Sequence, residues 1–311
     1  MPSDTNSNPI SIRWRRPNGY KQVLLIAFPL ILSTGSWSIQ QFVDRMFLSW
    51  YSAESLAAAM PAGILSFTVI CFFLGTSSYV STFIAQYIGA GRPHRVGPAM
   101  WQGIYYSLIG GVIVTCTIFL GDPLFNLVGH DPEVKKLEIL YWKYMMAGGF
   151  FPIGLAAVSS FFSGRGQTYP VMWASITATC LNIFLNYLLI FGNMGFPEMG
   201  IAGAGLSTII SQFFNFILLL TMAFSGENNR RYHTISGWRF ETVLFRRLIK
   251  FGLPIGVSAL ALLIVAATAA YVRVVTVRIS LMTDWISFIP AMLIANFIYF
   301  VALYFSNYSI D

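Results

Sequence analysis

Eight long stretches of this 311-residue chain contain no charged side chain, and they restrict its fold more than any other feature. A helix that crosses a bilayer needs about 20 mostly apolar residues, and each stretch is long enough to supply one. Strands of a membrane barrel have about 10 residues and alternate apolar with polar side chains, which these stretches do not. The predicted spans lie near residues 22–48, 56–88, 96–120, 141–162, 171–191, 200–224, 251–272 and 285–305.

The composition leads to the same fold class. Charged residues make up 10% of the chain and hydrophobic residues 56%, whereas soluble domains carry about 25% charged residues. We therefore predict an all-α integral membrane protein with about eight transmembrane helices, embedded in the lipid bilayer as a multi-pass protein of the inner (plasma) membrane. An enzyme is not expected, because the spans hold no nucleophile–base pair and no residue spacing typical of a metal site.

The basic residues have an uneven distribution that orients the spans. If the spans alternate in direction, thirteen Lys and Arg residues fall on the side of the N-terminus and three, Lys135, Lys136 and Lys143, on the other. Cytoplasmic loops collect Lys and Arg, so the N-terminus is predicted to be cytoplasmic. This uneven distribution accounts for the net charge of +7. The positive charge therefore does not indicate nucleic-acid binding, and we expect no nucleic-acid partner.

The charge distribution also divides the chain into parts. Residues 1–20 are predicted to form a cytoplasmic N-terminal segment, and residues 21–225 hold six spans joined by short connections. Residues 226–250 form a basic cytoplasmic linker, and residues 251–311 hold two further spans. The polar start, which leads directly into a full span, predicts that no signal peptide is cleaved.

Asp44 is the candidate functional residue of span 1, because a charge inside a span is costly and usually functional. Two interpretations stay open for it. In the first, Asp44 and Arg45 form a local pair near the outer interface, although neighbours on a helix point about 100° apart. In the second, Asp44 lies well inside the bilayer and serves a site. Pro29 in the same span removes one backbone hydrogen bond and is predicted to bend the helix.

Asn182 and Asn186 of span 5 are four residues apart and therefore share one helix face. Two amides in lipid need polar partners, and one interpretation is hydrogen bonding between helices. The other is that their carbonyl oxygens join a carboxylate around a small cation, since hard cations prefer oxygen ligands. Thr208 of span 6 would then add a hydroxyl. The glycines at 200–205 are typical of close helix packing.

Several motifs together resemble one known family of transporters. They are FVD at 42–44, IAQYIGAGR at 84–92, GRGQT at 164–168, NIFLNYLLIFG at 182–192, GIAGAGLST at 200–208 and GLP at 252–254. With them, about residues 20–257 of the chain resemble the multidrug and toxic compound extrusion (MATE) transporters. That family belongs to a larger group that includes polysaccharide and lipid flippases.

The resemblance implies a cation-coupled antiporter that exports small amphipathic or cationic drugs and metabolites. Members of the family have twelve helices in two six-helix lobes, with a cation site in the first lobe. By position, that site comprises Asp44, Asn182, Asn186 and Thr208, with H⁺ or Na⁺ as the coupling ion and no other cofactor. Loading Asp44 with a cation would remove a bare buried charge and bend the span that contains Pro29. The bend would reshape the cavity and release substrate.

Three departures from the family pattern affect these expectations. Asn186 is an acid in some members, so weak Na⁺ binding is expected. Arg45 stands where a small residue is usual, and its positive charge would neutralise Asp44. After about Val257 the resemblance ends, and the acidic residue usual on the seventh helix is absent. We therefore expect one complete lobe plus a partial second lobe, which transports only if a second chain supplies the missing lobe.

Two alternatives remain open at the level of the sequence. The first is a non-transporting membrane fragment or partner subunit, which the unmatched C-terminal region favours. The second is a flippase for lipid-linked sugars. Such flippases often line their cleft with several Arg and Lys residues, and the near absence of these residues from the spans disfavours this alternative.

Overall fold

The computed structural model of the protein describes the backbone of residues 20–276 and the side chains of residues 24–126 and 129–263. This part of the chain is built from α-helices joined by short connections. The helices are α1 Tyr20–Tyr51, α2 Ala53–Ser78, α3 Val80–Gly89, α4 Val96–Cys116, α5 Gly121–Val128, α6 Pro132–Ala147, α7 Phe150–Ser163, α8 Tyr169–Phe191, α9 Ile201–Ala223, α10 Gly226–Tyr232 and α11 Thr242–Thr276.

The described residues confirm the predicted all-α membrane fold. Within them, five helical runs are long and apolar enough to cross a bilayer, and they correspond to predicted spans 2 to 6. These runs are Ala53–Gly89, Pro93–Asn126, Pro132–Ser163, Tyr169–Phe191 and Ile201–Ala223. Predicted spans 1 and 7 are the helices α1 and α11, of 32 and 35 residues. Predicted span 8 lies outside the described residues.

The helices pack as one bundle, and pairwise contacts determine their arrangement. Helix α1 packs along α8, which packs along α9, while α2 packs along α6 and α4 along α7. Helix α11 packs against α2. Large apolar side chains such as Trp142, Phe125 and Phe161 are fully enclosed between the helices. Exposed apolar side chains along α1 and α4 give the bundle the surface that lipid requires.

The fourth helical run begins at Pro132, as the pair Asp131-Pro132 predicts, and continues into the apolar run that starts near residue 141. Asp131 accepts a hydrogen bond from the backbone N–H of Glu133 at 3.0 Å, and Pro132 occupies the first helical position. This cap is a favourable way to begin a helix. The helix therefore starts among polar residues, before the apolar run that defined the predicted span.

The seventh long helix, α11, begins earlier than predicted, at Thr242 instead of residue 251. Its first two turns are amphipathic: Leu244 and Leu248 are buried, while Arg246 and Arg247 are exposed. Apolar residues four positions apart line one helix face and pack against the bundle. The predicted basic linker is therefore partly helical, because α10 and the start of α11 both lie within it.

Gly256 allows α11 to approach α2 closely, and its replacement by Ala should destabilise the protein. A Cβ at this position would lie 2.3 Å from the Phe72 carbonyl oxygen and 2.6 Å from Thr76 Oγ1. Overpacking of this kind costs about 1–3 kcal/mol, so we expect a lower thermal midpoint in detergent. Gly35→Ala is the matched control, because a Cβ there meets no described atom within 4 Å. Equal midpoints for the two variants would contradict the close approach.

Residues 225–241, which we call the connecting segment, fold against the start of α4. Three side chains at or just before the start of α4 form hydrogen bonds to the connecting segment. Arg95 makes two hydrogen bonds of 2.7 and 3.0 Å to the Glu241 carboxylate, Trp101 Nε1 donates to the Thr234 carbonyl at 2.7 Å, and Gln102 Nε2 donates to the Arg239 carbonyl at 3.2 Å. The connecting segment is therefore an ordered part of the bundle.

Candidate functional site

A line of polar contacts joins α1 to α8 along most of their length. Four pairs of residues meet: the Ile26 carbonyl with the Thr168 hydroxyl at 3.1 Å, Ser33 with Ser175 at 2.7 Å, the Ser36 carbonyl with the Thr179 hydroxyl at 3.3 Å, and Asp44 with Asn186. The partners are 142, 142, 143 and 142 positions apart. A nearly constant separation means that the two helices run parallel and in register. We call these contacts the polar seam.

Asp44 lies at one end of the polar seam, in a buried cluster of polar side chains. Asn186 Nδ2 donates to Asp44 Oδ1 and, at 3.0 Å, to Asn182 Oδ1. Asn182 Nδ2 donates in turn to the Ser211 hydroxyl of α9 at 3.4 Å. None of these four side chains is more than 3% exposed. The cluster thus links α1, α8 and α9 through one carboxylate, two amides and one hydroxyl.

Thr208 lies near this cluster without touching Asp44, Asn182 or Asn186 in any described hydrogen bond. Its hydroxyl donates to the Ala204 carbonyl of its own helix at 3.0 Å, while the Ser211 hydroxyl donates to the Thr208 carbonyl at 3.0 Å. The structure therefore brings together Asp44, Asn182 and Asn186, and Ser211 is the side chain of α9 that contacts them. Thr208 is one turn away, and its hydroxyl oxygen retains acceptor capacity.

The carbonyl oxygen of Asn186 is the unsatisfied hydrogen-bond acceptor of the cluster. Oδ1 is buried and has no hydrogen-bond partner among the described residues. A buried acceptor without a donor is costly, and a bound cation would satisfy it. One carboxylate oxygen and neighbouring amide and hydroxyl oxygens form the kind of donor set that a small hard cation accepts. The residues present therefore fit H⁺ or Na⁺.

Arg45 is the second charged side chain of α1, and its guanidinium lies against α2. Its Nη2 lies against Gly63 of α2, 2.8 Å from the position that a Cβ would take there. Its Nη1 is buried and has no hydrogen-bond partner in the described part of the chain. The ion pairs within those residues do not include Asp44 with Arg45. The described residues therefore contain no direct Asp44–Arg45 ion pair of the kind that the first interpretation requires.

Pro29 lies at the opposite end of the polar seam, and α1 remains helical through it. Since proline has no N–H, the carbonyl of Leu25 loses its helical donor. The next carbonyl, that of Ile26, accepts the Thr168 hydroxyl at 3.1 Å. Thr168 of the GRGQT motif therefore contacts α1 next to the position where that helix lacks a backbone hydrogen bond.

Glu138 is a second buried carboxylate, although it precedes predicted span 4 in the sequence. It is fully buried in α6, with Oε1 2.6 Å from His130 Nδ1 and Oε2 unpartnered among the described residues. The signal that identifies it is periodicity, since Tyr141 and Trp142, three and four residues later, are also buried. A residue three or four positions before two core residues shares their helix face.

Known proteins of similar sequence include bacterial multidrug resistance proteins. The chain is 28% identical over 284 residues to the probable multidrug resistance protein NorM of Thermotoga maritima, with 88% of this chain and 61% of that protein covered. It is 28% identical over 245 residues to the multidrug resistance protein PmpM of Pseudomonas aeruginosa, with 78% of this chain and 51% of that protein covered. The chain therefore spans between half and two thirds of the length of these relatives.

Solved structures share the fold, and a family model matches the chain. A MOP superfamily transporter from Pyrococcus furiosus aligns with a TM-score of 0.71 at 24% identity, covering 80% of this chain and 54% of that one. An outward-facing multidrug resistance MATE family transporter aligns with a TM-score of 0.72 at 23% identity, covering 80% and 55%. The MatE family model matches residues 29–188, just over half of the chain, and includes Pro29, Asp44, Asn182 and Asn186. The chain therefore belongs to the MatE family of transporters.

Proposed function

We propose that this chain forms the cation-binding lobe of an efflux transporter that exports amphipathic or cationic compounds. Coupling by H⁺ or Na⁺ at Asp44 is part of the proposal. The buried cluster of Asp44, Asn182, Asn186 and Ser211 carries it, because a single carboxylate beside an unsatisfied amide oxygen changes its interactions when a cation binds. Relatives whose names describe multidrug resistance support the substrate class.

The polar seam suggests how cation binding at Asp44 reaches the rest of α1. An ionised Asp44 accepts a hydrogen bond from Asn186 Nδ2, whereas a neutral or cation-bound carboxyl accepts it less strongly. Weakening this contact loosens α1 from α8 at one end of the seam. The other end lies beside Pro29, where α1 has lost a backbone hydrogen bond. We propose that α1 bends there and thereby changes the shape of the substrate cavity.

Alternating access requires two lobes that move against each other around a site near the bilayer midplane. The six-span bundle provides one lobe. In our proposal a second six-helix lobe forms the other wall of the translocation path. All residues of the Asp44 cluster lie on α1, α8 and α9, so cation binding does not require the second lobe.

Dye efflux in a drug-sensitive bacterial host tests the transport function. Cells that contain this chain together with a second six-helix lobe should accumulate less ethidium than cells with an empty vector. Collapse of the proton and sodium gradients should abolish the difference. Equal accumulation, with both chains inserted in the membrane, would contradict transport. Strong efflux by this chain alone would contradict the need for a second lobe.

Asn186→Asp should strengthen cation binding in the purified protein. It places a second carboxylate against Asp44, and two buried carboxylates in contact do not both stay ionised without a proton or cation. We expect binding of an additional proton, or Na⁺ affinity raised roughly tenfold by the added ligand charge. Proton-release and calorimetric titrations measure the two outcomes. Asn193→Asp, on the turn after α8, is the control, and identical binding by both variants would contradict the site.

A further inference from the structure

The connecting segment and the first turn of α11 carry a group of exposed apolar side chains. Ile235, Trp238, Phe240 and Val243 are 49%, 61%, 52% and 75% exposed. Large apolar side chains so close together on a surface normally mark a contact with a partner or a membrane. Trp and Phe are also typical of the boundary between lipid and water. We call Trp238, Phe240 and Val243 the aromatic patch.

The aromatic patch is held in place through its backbone. The Tyr105 hydroxyl donates to the Trp238 carbonyl, and the Gln102 side chain contacts the Arg239 carbonyl at 3.2 Å and the Glu241 N–H at 3.3 Å. The Phe240 ring lies edge-on to the Tyr105 ring, with centroids 5.6 Å apart. Since these bonds use main-chain atoms, the Trp238 ring remains directed outwards and free to contact a partner.

Tyr105 also gives the level of the aromatic patch relative to the bilayer. From Tyr105 to Asn126 the helical run rises about 32 Å at 1.5 Å per residue, which matches the hydrocarbon thickness of about 30 Å. Apolar side chains that face outwards begin at Leu108 and continue to Leu120. Before Tyr105, the residues from Val96 to Met100 are buried, and Gly97 and Pro98 among them lie against the connecting segment. Tyr105 therefore marks one edge of the apolar region, and Trp238 lies at this edge.

The charges around the aromatic patch are mainly positive. Six exposed basic side chains lie between residues 225 and 250: Arg230, Arg231, Arg239, Arg246, Arg247 and Lys250. The two acidic residues of this stretch are Glu227 and Glu241, and Arg95 pairs with Glu241. Basic side chains next to exposed aromatic ones bind the headgroup region of anionic membranes. The same charges are those that indicate a cytoplasmic location for this side of the bundle.

We propose that the aromatic patch and Arg239 and Arg246 bind anionic phospholipid at the cytoplasmic surface of the bilayer. Trp238 and Phe240 insert between headgroups, and the two guanidinium groups contact phosphate. Because the connecting segment joins α9 to α11, lipid bound here contacts the element that links the two parts of the transporter. This binding is independent of cation coupling at Asp44, so each proposal can fail without the other.

Quenching of Trp238 fluorescence in nanodiscs tests the proposal with the full chain. The discs contain equal phosphatidylglycerol and phosphatidylcholine, with brominated acyl chains on only one of the two lipids. The Trp238 contribution is the difference between wild type and Trp238→Phe, which keeps the backbone bond from Tyr105. We expect stronger quenching when phosphatidylglycerol carries the bromine. Trp173 is the matched control, because it is also 61% exposed and lies on α8, which has no basic residue.

The double variant Arg239→Gln with Arg246→Gln tests the role of charge. Each basic side chain at an anionic surface favours binding roughly fivefold, so enrichment of phosphatidylglycerol around Trp238 should fall roughly twenty-fivefold. Lys135→Gln with Lys143→Gln removes two charges from α6 and should leave the enrichment unchanged. Equal quenching by both lipids would overturn the proposal. Absence of quenching by either lipid would also overturn it and would favour a protein or nucleic acid as the partner of the patch.

Discussion

Replacing Asp44 by Asn is expected to abolish cation-coupled efflux and to leave membrane insertion intact. Asn has the shape of Asp, and its carbonyl oxygen still accepts the hydrogen bond from Asn186. The fold and the polar seam should therefore survive. The side chain at position 44 is then not ionisable, so it neither takes up a proton nor supplies a charged ligand to Na⁺. Ethidium accumulation should rise to the level of cells that carry an empty vector.

Asp122→Asn is the appropriate control for this experiment, because Asp122 is exposed in the first turn of α5 and outside the cluster. It removes the same charge but should preserve efflux. Equal amounts of both variants in the membrane, with thermal midpoints close to the wild type, would separate a loss of coupling from a loss of folding. Unchanged coupled efflux by Asp44→Asn would make Asp44 a structural residue and would overturn the proposed mechanism.

Replacing Gly97 by Ala should detach the connecting segment from the bundle. A Cβ at Gly97 would lie 2.2 Å from the His233 carbonyl oxygen, 2.5 Å from its carbonyl carbon and 2.6 Å from the Tyr232 carbonyl oxygen. All three neighbours are backbone atoms, so no flexible side chain can move aside. Overpacking by one methyl group costs about 1–3 kcal/mol, which corresponds to opening of the segment about five-fold or more above the wild-type level.

Limited digestion with trypsin measures this opening, because Arg230, Arg231 and Arg239 lie in the connecting segment. We expect cleavage of Gly97→Ala to be faster by about the same factor, since cleavage follows the population of the open form. Gly89→Ala is the control, because a Cβ at that helical position meets no atom within 4 Å in the described structure. Equal cleavage rates in the two variants would show that close backbone approach at Gly97 does not hold the segment.

Several features of the fold follow from the sequence because they depend on residue type and spacing. Uncharged runs identify the spans, and a spacing of four residues places Asn182 and Asn186 on one face. The contact of Asp44 with Asn186 required the resemblance to the family, since nothing in the spacing pairs α1 with α8. Ser211 escaped prediction because serine is common in such spans and only its position one turn beyond Thr208 brings it to Asn182.

The residue types in the sequence do not indicate that the connecting segment packs against α4. Trp101, Gln102 and Tyr105 donate to backbone carbonyls, which every residue has. The early start of α11 was missed for a different reason. Its first turns are amphipathic and basic, so a search for apolar runs excludes them although they pack through Leu244 and Leu248. Arg45 directly follows Asp44 in the sequence, yet its guanidinium lies against Gly63 of α2 while Asp44 contacts Asn186 of α8.

The polar seam has a consequence for changes in chain length. Loops between α1 and α8 can lengthen or shorten, because the helices can still meet side by side. An inserted residue inside α1, between Ser36 and Asp44, would instead turn Asp44 by about 100° and advance it by about 1.5 Å. The contacts at Ser33 and Ser36 would remain matched to α8 while Asp44 lost Asn186. Deletions and insertions should therefore be tolerated in the connections and excluded from the interior of these two helices.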